Sequence, residues 1–238
     1  DHADRPITEL VARHGIRDKQ FIHLHPASRW LFKCWPAEKT AALMDALQGH
    51  QLVLTAAPEV KERALIEDIK ARTNVRNHAP CIDLSGQLSL KELAALTARA
   101  RLFIGVDSAP MHIAAGMGTP TVVLFGPSGD KEWGPWQVAH RIVTTDHSCR
   151  PCGRAGCGDS KVSDCLVTLP VERVLAAVNA LLVCHATFTS VPPELVEGQA
   201  ALRTCSFMVR QACPERSRRA HHERHGRKRS TSRATHLM

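Results

Sequence analysis

Residues 105–128 read GVDSAPMHIAAGMGTPTVVLFGPS, and their reading decides the fold. The run RLFIGV (101–106) that leads into them is continuously apolar, as a strand buried on both faces is. Asp107 and Ser108 follow, then Pro110, which suits the first turn of a helix because the amide it lacks would have no intrahelical partner there. After the small-residue run MHIAAGMG, Thr119 and Pro120 end the helix, and TVVLFG is again apolar and β-branched. The order is therefore strand, tight turn, helix, strand, the unit from which parallel sheets are built.

The same alternation extends in both directions. Toward the amino end, QFIHLHP (20–26), QLVLTAA (51–57) and CIDLSG (81–86) read as strands. Between them lie helical stretches at 36–49, 58–73 and 89–100. In the last of these, Ser89 stands three residues before Glu92, the spacing of a capping box. Toward the carboxyl end come the strand RIVTT (141–145) and the helix PVERVLAAVNALL (170–182). The expected class is α/β, a Rossmann-like parallel sheet flanked by helices. Three regions are expected: 1–19, a linker and short helix; 20–183, the binding domain; and 184–238, a basic, irregular tail lacking periodicity and expected to be disordered. Its fragments PELVEGQ and PERSRRA resemble peptides read through from bacterial intergenic palindromic repeats, which suggests a non-native tail.

The formal charge of +8 invites a nucleic-acid reading, but residues 184–238 hold ten Lys/Arg against four Asp/Glu and so contribute +6 of it. The body is nearly neutral, and basicity says nothing of the folded part's function. No apolar run is long enough for a membrane span and no signal segment opens the chain, so the expected location is cytoplasmic. Nine cysteines in a chain of 238 residues with core enough of its own read as reduced or metal-bound thiols. Cys149, Cys152, Cys157 and Cys165, in CRPCGRAGCGDSKVSDC, have spacing that fits zinc or an iron–sulfur cluster, or a reduced loop without metal.

Parallel sheets bind ligands at the carboxyl ends of their strands. The segments at those ends are HPASRWLFKCW (25–35), AAPE (56–59), SGQLS (85–89) and DSAPMH (107–112). HPASRWLFKCWPAEK and the 105–128 segment together resemble the two nucleotide-sugar motifs of the lipopolysaccharide heptosyltransferases, most closely the heptosyltransferase III type, over about residues 7–183. The resemblance implies the carboxyl-terminal, donor-binding half of a two-domain GT-B glycosyltransferase. Its donor would be ADP-L-glycero-D-manno-heptose and its acceptor a heptose of the lipopolysaccharide inner core, held by an amino-terminal domain that also carries the general base. It further implies the inner face of the inner membrane as the place of work, with peripheral contact there, no required cofactor and no nucleic-acid partner.

Residue by residue, the resemblance gives Lys33 the role of stabilising the leaving diphosphate, with Ser28 donating to the same phosphates. It sets Ser108 and the turn through Ala109 against the phosphates or sugar, Asp107 on the heptose hydroxyls or the turn, and His112 nearby. Glu59 resembles the acid that accepts from ribose hydroxyls. Where the family turn has Gly this chain has Ala109, and a positive φ there would cost alanine about 1 kcal/mol. Trp30, Phe32 and Trp35 are expected to anchor their loop. Two alternatives are a nucleotide-sugar epimerase-like domain and nucleic-acid binding through the tail.

Overall fold

The structure, a computed structural model, describes residues 4–74 and 81–189. The chain divides into two units, Asp1–Phe188 and Thr189–Met238, and the description concerns the first. In chain order its elements are α1 (Asp4–Arg13), β1 (Phe21–His25), α2 (Ala37–Ala46), β2 (Gln51–Leu54), α3 (Val60–Arg72), β3 (Cys81–Asp83) and α4 (Leu90–Arg99), then β4 (Leu102–Val106), α5 (Ala109–Gly116), β5 (Thr121–Leu124), α6 (Asp130–Trp133), β6 (His140–Val143), α7 (Asp164–Val167) and α8 (Val171–Thr189). A single 3-10 turn, Leu31–Lys33, lies between β1 and α2.

Six strands form one sheet in the order β3-β2-β1-β4-β5-β6, every pair parallel. The expected Rossmann-like α/β class is the observed one. The direction of growth reverses between β1 and β4, and a crevice opens at such a reversal beyond the carboxyl ends of the strands.

Side chains alternate across the pleat, so each strand feeds two cores. Ile22, Leu24, Leu52, Leu54, Ile104 and Val122 pack in one cluster with Met44 of α2, Ile66 and Ile69 of α3, and Val174 and Val178 of α8. On the other face Phe21 and Val53 meet Ile7 and Val11 of α1 and Leu96 of α4, while Phe103 and Val123 meet Met111 and Ala114 of α5. The short helix expected within 1–19 is α1, whose Ile7 and Val11 pack into the core. The capping box is present: Ser89 Oγ accepts from the Glu92 amide at 3.3 Å, and Glu92 Oε2 accepts from the Ser89 amide at 2.8 Å.

Boundaries differ where no residue punctuates the chain. The final helix, expected to stop at 182, continues to Thr189 because no Gly or Pro interrupts VCHATFT. The reading of the tail as disordered falls, from residue 190 onward, outside the described residues, and so does nucleic-acid binding by its arginines. Among the described residues no helix is long and apolar enough to cross a membrane.

Candidate functional site

A cavity of about 790 Å³ opens over the carboxyl ends of β1, β2 and β4. That size lies within the range of small-ligand sites. One wall is the loop after β1. The 3-10 turn is closed by the Lys33 amide donating to the Trp30 carbonyl at 2.8 Å. It is braced from behind: Trp35, buried, donates its indole N–H to the Leu169 carbonyl at 3.2 Å, and Ser163 Oγ donates to the Phe32 carbonyl at 2.6 Å. Trp35 is therefore the anchor expected of it. Trp30 is 56% exposed and lines the cavity, with the Arg29 guanidinium 5.8 Å from its ring centroid. Ser28 is buried, lines the cavity and accepts from the Trp30 amide at 3.3 Å.

So braced, the turn directs Lys33 across the cavity to the opposite wall. Its ammonium lies 2.6 Å from Asp107 Oδ2, with the two side chains 23% and 8% exposed. Asp107 ends β4 and Ser108 begins α5, but neither side chain caps the helix. Ser108 Oγ turns back to donate to the Val106 carbonyl at 3.2 Å, and the Asp107 carboxylate is given to Lys33. Ala109 is not among the residues with positive φ, so the turn asks no left-handed backbone of an alanine. Ser108, Ala109 and His112 all line the cavity, His112 on the exposed side of α5. The structure therefore brings Ser28, Lys33, Asp107, Ser108, Ala109 and His112 to one cavity.

Glu59 is not brought there. It is exposed, as the residue before α3, whereas Glu62, one turn on, lines the cavity. Glu62 is 4% exposed, lines the cavity, and holds the Ala57 amide with Oε2 at 3.1 Å. A Glu at the third position of a helix, reaching back to an amide before the helix start, is the available sequence signal.

Two histidines were likewise missed. His23 and His25 lie on the face of β1 that also carries Phe21; His23 is fully enclosed and His25 is buried but for 4% of its surface at the cavity, with Thr55 Oγ1 2.7 Å from His23 Nε2 and 2.7 Å from His25 Nδ1, and Thr97 Oγ1 3.1 Å from His23 Nδ1. Burial holds His23 down to about 3, with His25 adding to the effect, and holds His25 down to about 4. The signal was a pair of polar residues at i and i+2 in a strand expected to be buried.

The cysteine loop is tied to the end of β5 by the Cys152 and Gly153 amides, which donate to the Pro127 carbonyl at 3.1 and 2.9 Å. Cys165 is buried, which raises its thiol, with Cys157, Cys149 and Cys152 near enough to add to the effect. Cys149 is exposed, and all four thiols are free. Among the described residues no three His, Cys, Asp or Glu side chains are gathered as metal ligands. The thiols are spread from surface to core because Cys165 is drawn in with α7, where Leu166 packs against Gly126.

Chemically, the cavity offers one ammonium, a helix start without a side-chain cap, and a separate buried carboxylate. This suits a ligand with an anionic part and hydroxyl groups.

Comparison with known proteins agrees with this chemistry. The family model described as glycosyltransferase family 9 (heptosyltransferase) matches residues 3–162. Lipopolysaccharide heptosyltransferase 3 of Escherichia coli K12 is 40% identical over 171 residues, covering 71% of this chain and 48% of that protein. A second Escherichia coli lipopolysaccharide heptosyltransferase 3 is 35% identical over 180 residues, covering 74% and 51%. Among solved structures, a family 9 glycosyl transferase from Veillonella parvula superposes with a TM-score of 0.64 at 27% identity, covering 77% of this chain and 52% of that one. The ADP-heptose heptosyltransferase II of Escherichia coli shares the fold, with a TM-score of 0.63 at 24% identity over 76% and 52%. The chain spans about half the length of the curated relatives it matches. None of these matches favours the epimerase alternative.

Proposed function

The chain belongs to glycosyltransferase family 9, the heptosyltransferases, and from that premise we propose that it is the donor-binding half of an enzyme transferring heptose from ADP-L-glycero-D-manno-heptose to the lipopolysaccharide inner core. The observation that carries this reading is the 2.6 Å approach of Lys33 to Asp107. Two loops 74 residues apart, each bearing one of the two nucleotide-sugar motifs, meet across a single cavity.

In the proposed reaction an acceptor hydroxyl attacks the anomeric carbon of the heptose, the bond from that carbon to the diphosphate oxygen breaks, and ADP leaves from the opposite face. Negative charge grows on the departing diphosphate. Lys33 and the amide-bearing start of α5 meet that charge in a partly enclosed site, where fixed positive groups act more strongly than in water. Asp107 releases Lys33 to the diphosphate and turns to the heptose hydroxyls, Ser28 and Ser108 donate to phosphate oxygens, and Ala109 lets the ligand approach the backbone. His112 stands at the sugar side. Glu62 takes the nucleoside role expected of Glu59, accepting from ribose hydroxyls. The base that removes the acceptor's proton is placed in the half of the relatives that this chain does not span, as is the lipopolysaccharide contact at the membrane face.

Calorimetry of ADP with the full chain tests the reading. ADP is expected to bind weakly, and Lys33→Met to abolish most of that binding; no binding by the unaltered chain would overturn it.

A further inference from the structure

The floor of the cavity carries a chain of four polar side chains to which the roles above give no part. Thr97 Oγ1 lies 2.6 Å from the Leu93 carbonyl oxygen, and a carbonyl only accepts, so the one hydroxyl proton of Thr97 is committed there. Thr97 must then accept from His23 Nδ1, at 3.1 Å. His23 is neutral, as its burial requires, and has a single ring proton, which leaves Nε2 a bare lone pair. Thr55, 2.7 Å away, donates to it. With its proton used, Thr55 accepts from His25 Nδ1 at 2.7 Å. His25 is neutral as well, so its own Nε2 carries no proton.

That nitrogen is not sealed in the protein. Among the described residues His25 Nε2 has no protein hydrogen-bond partner, and His25, 4% exposed, lines the cavity.

We propose that His25 is a ligand-binding residue, presenting an unprotonated Nε2 that accepts a hydrogen bond from a hydroxyl of the bound nucleotide sugar, while Thr55, His23 and Thr97 are positioning residues that fix its tautomer. The proposal rests on the donor-site reading. β1 runs between β2, which leads to Glu62, and β4, which leads to Asp107 and Ser108. The ligand group above His25 therefore lies between the nucleoside side and the phosphate side. A lone pair there repels phosphate oxygens and turns the diphosphate toward Lys33. Ribose and heptose both bring hydroxyls to this region, and the shared chemistry is an O–H donor.

Two measurements on the full chain test it. Nitrogen-15 spectra of the histidine rings at neutral pH should show His25 with a protonated Nδ1 and a bare Nε2. Thr97→Val should shift His23 and His25 toward mixed tautomers, and Thr97→Ser should restore the single form. A protonated Nε2 on His25 in the unaltered chain overturns the proposal. His25→Asn keeps an amide donor for Thr55 but is too short to place an acceptor where Nε2 stood, and calorimetry should show binding weakened by about 3- to 10-fold at every ionic strength, as a neutral hydrogen bond requires. Weakening with ADP identifies a ribose hydroxyl; weakening with ADP-heptose alone identifies a heptose hydroxyl. Unaltered affinity of His25→Asn for both ligands overturns the proposal and leaves the donor-site reading intact. Failure of the unaltered chain to bind either ligand overturns both.

Discussion

Asp107 and Lys33 make opposite predictions for ADP although they form one ion pair. In the ligand-free cavity the ammonium sits 2.6 Å from a carboxylate that is only 8% exposed. An arriving diphosphate must take Lys33 from Asp107, and the carboxylate then stands near it with the same sign of charge. At ~5 Å and an effective dielectric of about 20, two unit charges interact by roughly 3 kcal/mol, which salt and solvent at the cavity mouth reduce to about 1–2 kcal/mol. Asp107→Asn removes that repulsion and is expected to tighten ADP binding by about 5- to 30-fold. Lys33→Met removes a charge-assisted hydrogen bond, about 1.5–3 kcal/mol, and leaves the carboxylate unopposed, so affinity should fall by about 30-fold or more. The double variant should lie between the singles, because its second change removes the penalty exposed by the first. Calorimetry at two ionic strengths reads all four corners of this cycle, and higher salt should compress the differences. With ADP-heptose the Asp107→Asn gain should shrink or reverse, since the carboxylate then has sugar hydroxyls to accept from. Equal loss of ADP affinity in Asp107→Asn and Lys33→Met would refute the reasoning, as would normal binding by Lys33→Met.

Three further outcomes are expected. Glu62→Gln should weaken ADP by about 10-fold while Glu59→Gln leaves it unchanged, and the same substitutions tested with inorganic pyrophosphate should both be silent, because only the nucleoside part meets the carboxylate. Acid should destabilise the fold: His23 and His25 titrate near 6.5 when unfolded but at about 3 and about 4 when folded, so the unfolded chain binds more protons between those values. Their contribution is present above pH ~6.5 and is lost as pH falls toward 4, at about 1 kcal/mol per histidine per pH unit, and urea unfolding at pH 7.5 and 5.5 would show it; equal stability at both would contradict the burial of these rings. Gly105→Ala places a methyl 2.6 Å from Phe103 Cε1 and 3.1 Å from the His25 carbonyl oxygen, and should lower the melting temperature by several degrees through overpacking of about 1–3 kcal/mol.

The sheet was legible because the central strands β2, β4 and β5 are apolar runs punctuated by Gly, Pro or a cap, and the capping box at Ser89 marked one helix start to the residue. The convergence of Lys33 and Asp107 was legible too, since both follow strands that flank the reversal of the sheet. Glu62 was not. Choosing between it and Glu59 depends on where α3 begins its first turn, and the loop amide that draws Glu62 inward belongs to Ala57, a residue with no side-chain signal of its own. The histidine pair required knowing which threonines lie across the pleat, and Thr97 comes from a helix 74 residues away. The four-residue helices α6 and α7 are too short to show a period, and the scatter of the cysteines follows from α7 packing, which spacing alone does not encode.

The bracing of the lysine turn has a consequence for how the site comes into being. Its two ties join residues separated by 134 and 131 positions, from Trp35 to Leu169 and from Phe32 to Ser163. The sheet strands nearest the crevice are all complete by Leu124, yet the wall carrying the ammonium lacks these two ties until the segment before α8 has arrived. A chain shortened ahead of residue 163 would lose both ties together with the α8 side chains that pack under the sheet, so the grip on a diphosphate is acquired late in the growing polypeptide.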